Sequence, residues 1–154
     1  TLSSSSAASD VYKRQVLHIV DLRRALETEI AAQAAAQRSK RDLTAIDNAL
    51  AAISQAVENG GDGVKEDVAF HRSIARATGN PYFLTTLAFV SQFLEAATRV
   101  TRGNEARHAD LMRAVLQEHQ AIVDAIRRQD VEGAREAARV HMVNAAKRLR
   151  QAHR

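Results

Sequence analysis

The chain has 154 residues, of which 45% are hydrophobic and 26% charged, with a formal net charge of +4 and no cysteine. These values are typical of one globular domain and exclude disulfide-stabilised, thiol-dependent and intrinsically disordered proteins. No apolar run reaches membrane-spanning length, and the low charge and 4% aromatic content argue against a nucleic-acid interface. We therefore expect a cytoplasmic domain without a membrane partner. Basic residues gather at 147–154, where we expect a solvated helix end.

The first fifteen residues carry a serine and alanine run without apolar periodicity. The string D-V-Y-K-R-Q at residues 10–15 resembles an in-frame translation of an adaptor used in sequencing libraries. We therefore expect residues 1–15 to be a non-native or disordered leader, and the domain to occupy residues 16–154. A signal peptide is the competing interpretation, but this segment lacks an apolar core of the needed length.

Helical periodicity begins after this leader, and glycines mark several of the breaks between helices. A first helix is predicted from Val16 to Arg38. Ser39 and Asp42 have the spacing of a capping box, which predicts the start of a second helix that ends near Glu58. Three glycines between residues 60 and 63 then separate the second helix from the third.

The third helix is predicted to stop at Gly79, where a new cap follows. Asn80 as the cap and Pro81 at the first helical position predict a fourth helix. Its bulky apolar residues would face the core or a dimer partner: Leu84, Leu87, Val90, Phe93 and Leu94. A fifth helix over residues 105–128 and a sixth from Asp130 to the end complete an all-α antiparallel bundle of about six helices. No alternating apolar pattern indicates a strand.

Three of these helices place a metal-binding side chain on their own apolar stripe. Asp67 and His71 lie one turn apart on the third helix, so they can hold a single ion. His119 interrupts the apolar stripe of the fifth helix and His141 that of the sixth, where an unpaired imidazole is costly. Imidazole nitrogen and carboxylate oxygen together predict an open divalent-metal site that water or a ligand completes. We expect Zn²⁺, with Ni²⁺ or Mn²⁺ as alternatives.

Two other interpretations of these histidines stay open. In a metal-free helical interaction module, each histidine would only satisfy a polar contact in the core, as single buried histidines often do. In a metal-dependent hydrolase of the DinB type, the ion would activate water. The absence of an H-E-x-x-H helix and of paired E-x-x-H motifs argues against the hydrolase. The remaining histidines, His18, His108 and His153, have no partner in a motif and are assigned no role.

Four short motifs occur in order along the chain. They are R-R-A-L-E at residues 23–27, D-V-A-F-H at 67–71, E-H-Q-A-I at 118–122 and A-R-E-A-A-R-V-H at 134–141. Together they resemble the FCD domain of FadR-type GntR transcriptional regulators, over about residues 16–150. The chain departs from the family pattern at Ala138, where methionine is usual, and at Met142, where leucine is usual.

The resemblance implies an all-helical domain around a central metal and ligand pocket, with the aspartate and three histidines above as the metal ligands. It also implies a small organic acid effector and a homodimer. Arg23 matches the arginine of the family's R-x-x-L-E motif and could pair with the effector's carboxylate, and Arg99 is a second candidate. DNA would be bound only through an N-terminal winged-helix domain, which nothing in this chain resembles. The resemblance thus implies an effector-sensing domain and not an enzyme.

Overall fold

The computed structural model describes residues 2–152, apart from the side chains of residues 2, 3, 5 and 106. His153, which the sequence left without a role, lies outside the described residues. Within that range the chain forms seven α-helices and no strand. The helices are α1 (Leu2–Gln37), α2 (Lys40–Glu58), α3 (Val64–Ala77), α4 (Pro81–Gln92), α5 (Glu95–Ala106), α6 (Ala109–Arg127) and α7 (Val131–Ala152). The predicted all-α class is confirmed, with one helix more than the sequence indicated.

The additional helix arises because the predicted fourth helix is divided at residues 93 and 94. Leu94 in this break is 3% exposed. It packs in a second small core with Val16, Ala97 and Leu149. A tertiary contact therefore accompanies the break, and no glycine or proline marks it in the sequence. Arg99 consequently lies on α5, and the helix predicted from residue 105 begins at Ala109.

The first helix also differs from its predicted bounds, because α1 already begins at Leu2. Serine and alanine can extend a helix that a packed segment has nucleated, even without contacts of their own. Residues 6–15 are exposed, and among the described side chains the first buried one belongs to Val16. Burial thus begins at the predicted domain boundary, while the foreign origin of residues 1–15 stays a prediction.

Side-chain caps begin three helices where the sequence predicts them. Ser39 and Asp42 form a reciprocal capping box at α2, with hydrogen bonds of 3.0 and 2.9 Å between side chain and backbone. The side-chain oxygens of Asn80 and Asp130 accept backbone N–H groups at the starts of α4 and α7. These local bonds satisfy N–H groups that the helices leave free and fix where each one starts.

The main core lies between α1, α2, α3, α6 and α7, and α1 packs most extensively on α7. Small side chains allow the close approach of these two helices: Ala34 and Ala35 on α1, and Ala134 and Ala138 on α7, are at most 4% exposed. Phe70 on α3 is fully buried beside them. This packing brings the middle of α7 toward α3. Among the described helices, none has both the length and the apolar character needed to cross a bilayer.

Candidate metal centre

The start of α3 positions two of the predicted ligands. Gly63 precedes the helix with a left-handed backbone, at φ +71°. A Cβ atom there would lie 3.1 Å from Nη2 of Arg102, so glycine suits both the backbone and the space. The helix that follows places Asp67 and His71 one turn apart on its buried face, at 7% and 5% exposure.

The four predicted ligands meet between α3, α6 and α7. Oδ1 of Asp67 lies 3.7 Å from Nε2 of His71 and 3.4 Å from Nε2 of His119. Nε2 of His119 lies 3.2 Å from Nε2 of His141. One ring nitrogen from each histidine lies within 4.8 Å of the other two. The structure therefore brings all four side chains to one point in the interior.

The spacing of these donor atoms fits a divalent ion. With metal–ligand distances of about 2.1 Å, neighbouring donors lie about 3.0 Å apart in an octahedral site and about 3.4 Å apart in a tetrahedral one. The separations of 3.2, 3.4 and 3.7 Å lie in or close to this range. Three imidazoles and a carboxylate are also a donor set that Zn²⁺, Ni²⁺ and Mn²⁺ accept.

Two further carboxylates contact the outer nitrogens of two of the histidines. Nδ1 of His71 lies 2.5 Å from Oε1 of Glu27, and Nδ1 of His141 lies 2.8 Å from Oε1 of Glu118. A carboxylate at Nδ1 keeps the proton on that atom and leaves Nε2 to bind an ion. Neither glutamate was assigned a role from the sequence. The available signals were the position of Glu118 next to His119 and that of Glu27 within a recognised motif.

The buried carboxylates stay ionised. Burial raises the pKa of Asp67, but the charges of His71 and His119 outweigh that effect and hold the pKa well below its usual range. Burial likewise opposes ionisation of Glu27, yet Arg23 and His71 lower its pKa to about 2. Both groups therefore offer full negative charge to a cation at neutral pH.

The three histidines differ in their protonation. Burial lowers the pKa of His119 and of His141, and the charge of His141 lowers that of His119 further. Burial also acts to lower the pKa of His71, but Glu27 and Asp67 reverse this and raise it. Without an ion, the two carboxylates thus favour a proton on His71, whereas burial disfavours one on His119 and on His141. An ion bound at the centre would replace that proton.

A buried ion-pair network connects the centre to α5 and α7. Nη2 of Arg148 donates to Glu118 at 2.7 Å, and its Nε lies 2.9 Å from Oε1 of Glu105. Nη1 of Arg102 donates to the other oxygen of Glu105 at 3.0 Å. Since Glu118 also contacts His141, the network reaches the predicted metal ligands. Arg148 is 8% exposed, so the prediction that the basic helix end is solvated is wrong at this residue.

Three of the four predicted ligands, Asp67, His71 and His141, line one or both of two cavities. The inner one has a volume of about 70 Å³ and is lined by Asp67, His71 and His141 together with residues of α5 and α7. The outer one has a volume of about 610 Å³, and Arg23, Asp67 and His71 line both cavities. The two cavities thus adjoin each other at Arg23, Asp67 and His71.

The two arginines predicted to bind an effector occupy different places. Arg23 lies beside the metal ligands, with its Nε 2.6 Å from Oε2 of Glu27. Arg99 lines only the outer cavity; its side chain is 57% exposed and pairs with Glu95 at 3.3 Å. The structure therefore brings Arg23 to the site and leaves Arg99 at its entrance.

The all-α bundle and its four converging donors have the arrangement that the sequence motifs implied for an FCD domain. The sequence pattern of the FCD domain family matches residues 18–144. The chain belongs to the FCD domain family.

Individual relatives are bacterial transcription regulators. The HTH-type transcriptional repressor NanR of Escherichia coli strain K12 is 33% identical over 127 residues, which cover 82% of this chain and 48% of that protein. NanR of Klebsiella aerogenes is 29% identical over the same shares of both chains. The chain thus spans about half the length of these curated relatives. Nothing in the family match or in these relatives supports the hydrolase alternative.

A solved structure gives the same fold. The Streptococcus agalactiae GntR structure superposes with a TM-score of 0.74 at 23% identity, over 88% of this chain and 60% of that one. This likeness supports the helical architecture of the domain.

Proposed function

We propose that the chain is the effector-sensing domain of a bacterial GntR-type transcriptional regulator, and that it binds one divalent metal ion and a small organic acid. This proposal rests on the convergence of Asp67, His71, His119 and His141, of which Asp67 and His71 line the cavity of about 610 Å³. Membership of the FCD family and the similarity to NanR repressors support the regulatory role.

The metal part of the proposal rests on the carboxylates that contact two of the histidines and on the charge of Asp67. Glu27 and Glu118 lie against Nδ1 of His71 and His141, an arrangement that would hold protons on these atoms and leave Nε2 to bind an ion. Asp67 supplies a negative charge. A bound divalent ion, expected to be Zn²⁺ with Ni²⁺ or Mn²⁺ as alternatives, would supply positive charge and open positions for a carboxylate.

The organic acid part rests on the charge of the outer cavity. Arg23 lies at its base, and Lys65, Arg72 and Arg76 line its wall along one face of α3. These three wall residues form no ion pair within the described part of the chain, whereas Arg99 is paired with Glu95. A cavity with unpaired cations and a metal centre attracts an anion and places it against the ion.

Signalling would follow from differential affinity. The ligands belong to three helices, so a metal ion and an acid bound together would favour one arrangement of α3, α6 and α7 over others. In a homodimer this shift would change the spacing of two N-terminal winged-helix domains, through which alone the regulator would contact DNA. Such a regulator would act in the cytoplasm.

Metal analysis of the purified chain tests the proposal. We expect about one ion per chain, lost in His119→Ala and in His141→Ala but kept in the control His108→Ala, whose side chain is exposed. Thermal-shift screening with small carboxylates should then show stabilisation that disappears after chelation. A metal-free wild-type protein would favour the interaction module, and ester or amide turnover that follows metal content would favour the hydrolase.

A further inference from the structure

Arg102 on α5 is a buried guanidinium with unused hydrogen-bonding capacity. The residue is 4% exposed, and Nη1 donates to Glu105. Its Nε and Nη2 atoms are buried and have no hydrogen-bond acceptor among the described residues. Buried donors without a partner are rare and costly, particularly on a charged group. A purely structural pairing with Glu105 leaves these two donors unexplained.

The two free donors have the geometry of a carboxylate receptor. In a guanidinium group, the N–H of Nε and one N–H of Nη2 point in the same direction and form one edge. That edge matches the two oxygens of a carboxylate and binds them with two parallel hydrogen bonds. Gly63 lies next to Nη2, and a Cβ atom at this position would be only 3.1 Å from it.

Arg102 also lines the inner cavity together with the metal ligands Asp67, His71 and His141. The cavity volume of about 70 Å³ corresponds to roughly five water molecules at 10–15 Å³ each. A carboxylate with one or two carbons attached therefore fits into it, and the rest of a larger acid could extend into the outer cavity, whose wall shares Arg23 and Asp67.

The charges around this cavity leave a place for one anion. The buried carboxylates are Glu27, Asp67, Glu105 and Glu118, and the arginines facing them are Arg23, Arg102 and Arg148. With a divalent ion bound to three neutral histidines, the ion and the arginines together would carry one more positive charge than the carboxylates carry negative charges. A single carboxylate would balance it and avoid an uncompensated buried charge.

We propose that Arg102 binds the carboxylate of the effector through Nε and Nη2 inside the inner cavity. This inference rests on the proposed function and deepens it, because it assigns the anchoring residue and the position of the acidic group. From the sequence, this role was predicted for Arg23 or Arg99. Arg23 Nε lies 2.6 Å from Oε2 of Glu27, and Arg99 lines only the larger cavity, where it pairs with Glu95.

Acetate binding to the zinc-loaded chain tests the assignment, with acetamide as the neutral analogue of the same shape. We expect the wild type to bind acetate and not acetamide in calorimetric titrations. Arg102→Met should bind acetate about 10- to 100-fold more weakly while retaining its zinc, because a charged pair of hydrogen bonds is lost. The control Arg107→Met, at the exposed C-terminal end of the same helix, should stay within about twofold of the wild type.

Equal acetate affinity in the wild type and in Arg102→Met would overturn this inference and leave the proposed function intact. A zinc-loaded wild type that binds no acetate would contradict the organic-acid part of the proposed function, and this inference with it. If Arg102→Met does not fold, an NMR experiment on the wild type tests the inference instead. The NMR signal of the Arg102 Nε–H group, assigned with Arg102→Lys, should move during an acetate titration, and an unchanged signal would overturn the assignment.

Discussion

Glu27→Gln removes a buried negative charge that contacts both Arg23 and the proposed metal ligand His71. The carboxylate of Glu27 lies 2.6 Å from Arg23 Nε and 2.5 Å from His71 Nδ1, and its pKa is lowered from 4.5 to about 2. A shift of this size corresponds to about 3 kcal/mol of folding free energy at neutral pH, at about 1.4 kcal/mol per pKa unit. Glutamine keeps the shape of the side chain, so mainly the charge is tested.

The loss of unfolding free energy in Glu27→Gln should become smaller as the pH falls. Because the folded-state pKa of Glu27 is depressed, its contribution is complete above the unfolded-state value of 4.5 and disappears as the pH falls toward 2. Urea unfolding of the metal-free protein should thus show a difference of about 3 kcal/mol between wild type and Glu27→Gln at pH 7. The difference should shrink steadily below pH 4.5. Zinc affinity should also fall about 10- to 100-fold, because the partner of His71 Nδ1 is altered.

Glu29→Gln on the same helix is the matched control. Glu29 pairs with Arg135, but its side chain is 41% exposed, so we expect a loss of at most about 1 kcal/mol and little change in zinc affinity. Similar losses in both variants at pH 7, or a loss in Glu27→Gln that persists unchanged down to pH 2, would refute the reasoning from the buried charge.

Three other results are expected. Zinc binding should release a proton from His71, because the pKa of this residue is raised. The heat of zinc binding near pH 6.5 should therefore vary with the ionisation enthalpy of the buffer, and zinc affinity should fall as the pH drops through that pKa. A heat of binding that does not depend on the buffer would contradict this. Gly63→Ala should destabilise the fold by about 1–3 kcal/mol in urea unfolding and weaken zinc binding, whereas Gly103→Ala, which has open space in α5, should be neutral or stabilising. Ser39→Ala should cost about 1 kcal/mol through loss of the α2 capping box, and an unchanged unfolding midpoint would show that the cap contributes nothing.

Local signals account for the parts of the fold that the sequence predicted well. The capping box at Ser39 and the Asn80–Pro81 step each act within one turn of helix, so their meaning does not depend on the rest of the molecule. The break at Leu94 depends on packing against α1 and α7, and such a contact leaves no local pattern. The same distinction explains why the sequence indicated six helices where the structure has seven.

The candidate site also contains residues that local sequence patterns predicted and one that depends on tertiary packing. Asp67, His71, His119 and His141 each stood out as a polar residue on an apolar stripe, and the structure brings them together. Arg102 lies on a helix that the sequence did not separate from its neighbours. Its burial, and its position beside the metal ligands, depend on how α5 packs against the bundle. Residues that support or extend a site from another helix cannot be assigned before the packing is known.

The concentration of charge in the interior has a consequence for the lifetime of the protein. An ion that binds only the folded state would stabilise the domain by about 2.7 kcal/mol at a hundredfold excess over its dissociation constant. Proteases attack the transiently opened chain, whose population falls by the same factor. Metal supply in the cell would then set the abundance of such a regulator as well as its response, since copies made during metal starvation would be degraded first.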